Sequence, residues 1–228
     1  MTRTVSHDRD YLPGLGRGFL TPFYDVVHRA FGVAGLHRLM IGLADPQPGM
    51  RVVDLGCGTG NLLVTLAGQR PCVDLVGLDP DPRALARAGR KSRRRRLPID
   101  WQRGFGQELP FPDASVDRVF SSLMLHHLDD ASQGEFLAEI GRVLPADGVL
   151  VLADMAGHAR GGTDGHGGHG WHGGHGGPGV LRHLRRRAGA VPADAHLISR
   201  LGDAGFRTGS PSVYPLAGLA ITVVRAHR

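Results

Sequence analysis

Between residues 50 and 155 the apolar positions follow two alternating rhythms. Short blocks such as Arg51-Val52-Val53-Asp54-Leu55 are almost continuously apolar. Between them run stretches with apolar residues at helical spacing, as at Leu62, Leu63, Leu66 and Ala67. The first kind reads as buried strand and the second as helix, and their alternation predicts an α/β fold with a parallel sheet covered on both faces. Predicted strands fall at 51–55, 73–78, 99–102, 117–121 and 149–153. Asp81 before Pro82 predicts a helix start, since aspartate caps a free amide and proline has none to leave open. Ser132-Gln133-Gly134-Glu135 has capping-box spacing and predicts another start, with Phe136, Leu137, Ile140, Val143 and Leu144 as its apolar stripe. A last helix at 194–204, ended by Gly205, precedes strands near 206–213 and 217–225.

Upstream, residues 21–44 carry Phe23, Val26, Val27, Ala30 and Phe31 at helical spacing, with a second short helix around Leu36, Leu39, Met40 and Leu43. Pro46 and Pro48 stop it. These helices either pack on the sheet or lie over a ligand. The pattern divides the chain into an N-terminal segment with cap helices, 1–48, and one α/β domain, 49–228.

Residues 157–179 break the rhythm with twelve glycines and five histidines. Glycine at that density holds neither helix nor strand, so this is expected to be a flexible insertion on the substrate side. Histidines 166, 169, 172 and 175 recur every third residue, and an extended conformer would align them along one edge. Closing a glycine chain around an ion costs much conformational entropy, so no physiological metal site is assigned there.

At 228 residues and 41% hydrophobic content, the chain suits one core rather than two. Its 27 Lys and Arg exceed its 21 Asp and Glu by 6, partly through the run Arg90-Lys91-Ser92-Arg93-Arg94-Arg95-Arg96. That run reads as a solvated helix end and loop, although basic runs also mark nucleic-acid partners. Cys57 and Cys72 read as reduced thiols, no stretch approaches the roughly 18 apolar residues of a membrane span, and the N-terminus is too polar for a signal peptide. The expected location is cytoplasmic.

The candidate chemistry starts at Asp54-Leu55-Gly56-Cys57-Gly58-Thr59-Gly60-Asn61, a strand running into glycines at every second residue. Glycines there let the backbone bend sharply and approach a ligand closely. A nicotinamide fingerprint counted from Gly56 needs its third glycine where Asn61 stands. Asp54 before the loop repels a pyrophosphate and suits an ammonium-bearing ligand. Asp79 ends the second strand, 21 residues after Gly58, where a carboxylate can accept from both hydroxyls of a ribose.

The glycine loop closely resembles the first motif of class I S-adenosylmethionine-dependent methyltransferases. Further segments resemble the same family in the same order. Arg103-Gly104-Phe105-Gly106-Gln107-Glu108-Leu109-Pro110-Phe111 is similar to its adenine-binding segment, with Phe105 where the family has an acid. Leu125-His126-His127-Leu128 is similar to its segment beside the transferable methyl group. Arg142-Val143-Leu144-Pro145 and Leu201-Gly202-Asp203-Ala204-Gly205-Phe206 extend the likeness, which points to the ubiquinone/menaquinone C-methyltransferase branch.

The resemblance implies a Rossmann-like doubly wound sheet of seven strands with an antiparallel C-terminal strand and helices on both faces. It implies S-adenosyl-L-methionine as cofactor, bound by Asp54, Gly56, Cys57, Gly58, Gly60, Asp79, Pro80, Phe105, Gly106, Ser121 and Ser122. His127 is the implied catalytic base or orienting residue, with a backbone-bonded structural histidine as the alternative. The expected activity is methyl transfer to O, N or C of a small-molecule acceptor. Two other readings stay open: an RNA- or protein-modifying methyltransferase, and a non-enzymatic S-adenosylmethionine- or metal-binding module. Nucleic acid is not the expected partner, because the end of the fourth strand lacks an Asn/Asp-Pro-Pro-aromatic motif. The sequence leaves the oligomeric state open.

Overall fold

Strand β1 (Arg51–Leu55) is buried on both faces, as the centre of a parallel sheet requires. Val52 joins one hydrophobic core, while Val53 and Leu55 join the other on the opposite face. The computed structural model describes residues 32–70, 73–155 and 195–228. Parallel to β1 run β2 (Asp74–Asp79) on one side and β4 (Arg118–Ser122) on the other. Strand β3 (Ile99–Arg103) extends the sheet beyond β2, and β5 (Val149–Met155) extends it beyond β4. Strand β8 (Leu219–His227) then pairs antiparallel with β5.

Helices α1 (Val33–Ala44), α2 (Asn61–Gln69) and α3 (Pro82–Arg95) cover one face. Helices α4 (Asp130–Val143) and α5 (Ala195–Asp203) cover the other, through Phe136, Leu137, Ile140, Leu197 and Leu201. Strand order is β3-β2-β1-β4-β5-β8, so the chain reverses direction across the sheet between β1 and β4. In an open α/β sheet the crevice at the carboxyl ends of such strands is the natural ligand site.

Three expectations need correction in detail. The sheet has eight strands, because the expected 206–213 strand is two pieces, β6 (Arg207–Thr208) and β7 (Ser212–Leu216). Both pieces pair with the same edge of β8, so they share one position and the eight strands fill the seven positions expected. Pro211, which has no amide to donate, stands in the break. Helix α4 begins earlier than the capping box predicts: Asp129 is its N-cap and its Oδ1 accepts from Ser132 N at 2.7 Å. An aspartate in extended backbone was available upstream and took the cap, leaving Ser132 inside the first turn.

The basic run also differs, since Arg90–Arg95 belong to α3 and only Arg96 caps it. The expected cap at Asp81 is present, its Oδ1 accepting from Arg83 N at 2.8 Å. Helix α1 packs on the sheet, and its C-terminal carbonyls are held by arginines of the strands. Arg118 donates to Ala44 O at 2.8 Å and Arg225 to Leu43 O at 2.9 Å. Such carbonyls have no partner within a helix, so these bonds fix α1 in place. The helical pattern before Gly32, Cys72 and the 157–179 insertion lie outside the described residues.

Candidate functional site

The loop after β1 is shaped by three glycines in the left-handed region, Gly56 at φ 69°, Gly58 at 53° and Gly60 at 75°. Each meets a different neighbour. A Cβ at Gly56 would stand 2.5 Å from Met124 Cγ, and one at Gly60 would stand 2.3 Å from Trp101 Cη2. A Cβ at Gly58 meets nothing within 4 Å. Gly56 and Gly60 are therefore required by packing, whereas Gly58 faces open space. Gly56 N and Cys57 N both donate to Leu78 O, at 2.9 and 3.1 Å, lacing the loop to β2.

Asp79 completes the lacing. Its Oδ2 accepts from Gly58 N and its Oδ1 from Asp81 N, both at 2.8 Å. Each oxygen keeps a second lone pair. Burial raises the Asp79 carboxyl, and the two amides hold it back. Asp54 lies deeper, at 3% exposure, and no hydrogen-bond donor among the described residues reaches its carboxylate. Burial, then the charge of Asp79, push it well above the usual carboxylate range. Cys57 is a buried free thiol, pushed up by burial and by the charges of both carboxylates.

Lys91 is a site residue hidden inside the basic run. Its Nζ reaches from α3 to Thr59 O, Thr59 Oγ1 and Asn61 Oδ1 at 3.1, 2.9 and 2.8 Å. His37 of α1 is a second, buried to 5% and facing the crevice lined by Asp54, Gly58 and Ser122. No sequence signal separates His37 from an ordinary core position, because only the packing of α1 turns it toward the loop.

Of the remaining expected residues, Phe105 is half-buried and belongs to neither core, and Pro80 O accepts from Arg103 Nε at 3.3 Å. Gly106 is needed by packing, since a Cβ there would stand 2.4 Å from the Phe136 ring. Ser121 and Ser122 end β4 with hydroxyl oxygens that are buried and without hydrogen-bond partners among the described residues. Beyond them a short 3-10 turn carries His126 and His127, whose rings stand 4.0 Å apart at a 44° tilt. His127 is exposed, and partial desolvation followed by the charge of His126 lowers its pKa. Asp154, at the end of β5, binds His126 Nδ1 at 2.6 Å.

The comparisons with known proteins agree with this geometry. Residues 52–148 match the family described as a methyltransferase domain. Over those residues the chain is similar to a methyltransferase domain. Among curated relatives, the demethylmenaquinone methyltransferase of Deinococcus radiodurans is 34% identical over 145 residues, 62% of this chain and 59% of that protein. The 2-phytyl-1,4-naphtoquinone methyltransferase of Synechococcus elongatus is also 34% identical over 145 residues, 60% of each chain. The chain thus matches about three fifths of these relatives' length. A solved S-adenosylmethionine-dependent methyltransferase from Aquifex aeolicus superposes with a TM-score of 0.63 at 20% identity, over 93% of this chain and all of that one. That likeness is one of fold.

The raised carboxyls give the α/β domain a pH signature. A group whose folded pKa lies above its unfolded value keeps its proton longer in the native state. Stability then falls as pH rises from the ordinary 3.8 through the raised folded value. Asp54→Asn removes one such loss, so the unliganded variant is expected to melt higher than wild type at neutral pH. The gain should shrink as pH falls toward the ordinary carboxylate range. Calorimetric scans across pH check this, and a variant that melts lower throughout refutes it.

Proposed function

We propose that the protein is an S-adenosylmethionine-dependent methyltransferase acting on a small molecule, with a reduced 2-substituted 1,4-naphthoquinone as acceptor class. The observation that carries the cofactor reading is the open Cβ position at Gly58 beside two buried carboxylates, Asp54 and Asp79. Two carboxylates repel a pyrophosphate and attract a ligand bearing an ammonium and a sulfonium. Asp79 has lone pairs left for two vicinal hydroxyls, and Phe105, outside both cores, is free to stack on a base. Gly56, Cys57 and Gly60 shape the loop, Pro80 and Gly106 flank the base, and the Ser121 and Ser122 hydroxyls offer unused hydrogen bonds. Bound there, S-adenosylmethionine supplies an electrophilic methyl group on a sulfonium. The chain's task is to hold the acceptor in line, exclude water and remove a proton, and the histidines after β4 are the groups suited to the last step.

The acceptor class rests on the names of the quinone-methylating relatives. Among the described residues no helix is long and apolar enough to cross a membrane. The reading places the protein in the cytoplasm, on a cysteine content of two, too low for a disulfide scaffold, with Cys57 free. Titration calorimetry with S-adenosylmethionine, then mass-shift assays on a reduced naphthoquinone and on a metabolite extract, test the proposal. Absence of cofactor binding overturns it.

A nucleic-acid partner makes a different prediction. Arg93–Arg96 are exposed, so their replacement by serine is expected to leave small-acceptor turnover unchanged. Strongly salt-dependent RNA affinity that the replacement removes would instead favour an RNA substrate, because counterion release drives such binding.

A further inference from the structure

We propose that His126, gripped by the buried carboxylate of Asp154, is the general base that takes the hydroxyl proton of the acceptor at Nε2. The inference deepens the proposed function and rests on its naphthoquinol acceptor.

Asp154 is 5% exposed at the end of the apolar strand β5, a costly place for a carboxylate without partners. It has three. Oδ1 accepts from Met155 N at 2.7 Å and binds His126 Nδ1 at 2.6 Å, while Oδ2 accepts from His126 N at 2.9 Å. One carboxylate therefore holds both the main chain and the ring of the same residue, which fixes the ring's orientation. An ionised carboxylate only accepts, so a hydrogen bond to it requires the proton on Nδ1 and leaves the Nε2 lone pair as the basic position. No described residue hydrogen-bonds Nε2, and the His126 side chain is 20% exposed, so a substrate can reach it. A base oriented through its second nitrogen by a buried carboxylate is the arrangement that proton-abstracting histidines use. The other titratable ring at the dyad is His127, which has no carboxylate partner of its own among the described residues.

The turn that carries His126 is set against the cofactor loop. Leu123 adopts φ 56°, a conformation that leucine avoids, and its amide is pinned to Ala153 O at 2.8 Å. Backbone held in such a region concentrates at functional sites. The next residue, Met124, packs on Gly56 of the glycine loop. Gln133 Nε2 then braces the turn by donating to Leu125 O and Leu128 O, at 3.3 and 2.9 Å. His126 thus stands two residues from the side chain that touches the loop, just after the unpartnered Ser122 hydroxyl.

The step balances without a redox partner, because the acceptor arrives as the quinol. The acceptor O–H bond breaks, its proton passes to Nε2 and its electron pair stays on oxygen. The adjacent unsubstituted ring carbon, made electron-rich, forms the new bond to the methyl group, and the pair of the broken carbon–sulfur bond stays on sulfur. The ring carbon then releases its hydrogen as a proton to water and the ring regains aromaticity.

The test compares wild type, His126→Ala, His127→Ala and Asp154→Asn. The probe is a short-chain 2-prenyl-1,4-naphthoquinone kept reduced with dithionite. His126→Ala is expected to lose about a hundredfold or more in kcat with unchanged S-adenosylmethionine affinity, and free imidazole should restore part of the rate. His127→Ala should lose less turnover than His126→Ala, and free imidazole should restore none of that loss. Asp154→Asn should fall between, while nitrogen NMR of the wild-type ring places the proton on Nδ1 and the Asn variant loses that preference. Full turnover by a folded His126→Ala, or an unchanged tautomer in Asp154→Asn, overturns the base assignment alone. Cofactor binding with no turnover of the quinol by wild type overturns the acceptor and the base together. Failure of wild type to bind the cofactor overturns the proposed function itself.

Discussion

Gly60→Ala is expected to destabilise the fold by roughly 2–5 kcal/mol, and Gly58→Ala by only about 1–2 kcal/mol. Both glycines lie at positive φ, so both substitutions carry the same left-handed penalty. The difference is what the new methyl group meets. At Gly60 it would stand 2.3 Å from Trp101 Cη2 and 2.9 Å from Ala88 Cβ, between α3 and the sheet, where neither neighbour can move freely. At Gly58 it enters open space. Ligand binding should reverse the order of damage. Gly58→Ala fills the surface over which the proposed cofactor would lie, so on that reading the folded variant should bind S-adenosylmethionine much more weakly than its small stability loss suggests. Urea unfolding of both variants, with calorimetry on whichever folds, checks the pair. Equal stability losses refute the packing role assigned to Gly60.

Asp79→Ala is expected to weaken S-adenosylmethionine binding by about tenfold to a hundredfold, the roughly 1.5–3 kcal/mol of charge-assisted hydrogen bonding. The carboxylate also anchors the loop through Gly58 N and Asp81 N, so the variant should lose stability as well. Asp79→Asn separates the two roles. An amide oxygen still accepts from one loop amide, but the side chain no longer offers two acceptors to vicinal hydroxyls. Its affinity should therefore drop while most of the stability returns. Asp81→Ala, which only uncaps α3, should lose helix stability of about 1 kcal/mol and leave affinity nearly intact. Equal affinities for the Asp79 and Asp81 variants by calorimetry remove Asp79 from the ribose role.

Local rules made most of the domain readable. Strand β1 falls where the pattern puts it, β3 runs one residue further, and β2 and β4 are each shifted by one residue at both ends, because buried parallel strands are continuous apolar runs. The split edge strand was less legible, since β6 has only two residues and its place is fixed by pairing with its neighbour β8 rather than by a pattern of its own. At the site, Asp54, Gly58 and Asp79 announce themselves through fixed spacing around one turn. Lys91, His37 and Asp154 do not. Lys91 looks like one more charge in a basic run, and His37 like one more position on a helix. Asp154 had a signal that pattern reading passes over: an acid closing an apolar strand whose end faces the crevice. Its partner His126 lies 28 residues earlier, and only the pairing of β4 with β5 brings the two together.

Trp101 lies across the sheet from Asp54, with Gly77 between them in register, and its ring fills the places that side chains at Gly60 and Gly77 would occupy. Its indole N–H is bound to Ser92 Oγ at 3.0 Å. The chain has only one other tryptophan, Trp171, within the glycine–histidine insertion. With Trp171 replaced by phenylalanine, every photon of indole emission comes from a fluorophore wedged under the glycine loop. The protein so altered is its own optical gauge: a change in loop order shows as a change in brightness or colour, with no label attached and no acceptor needed.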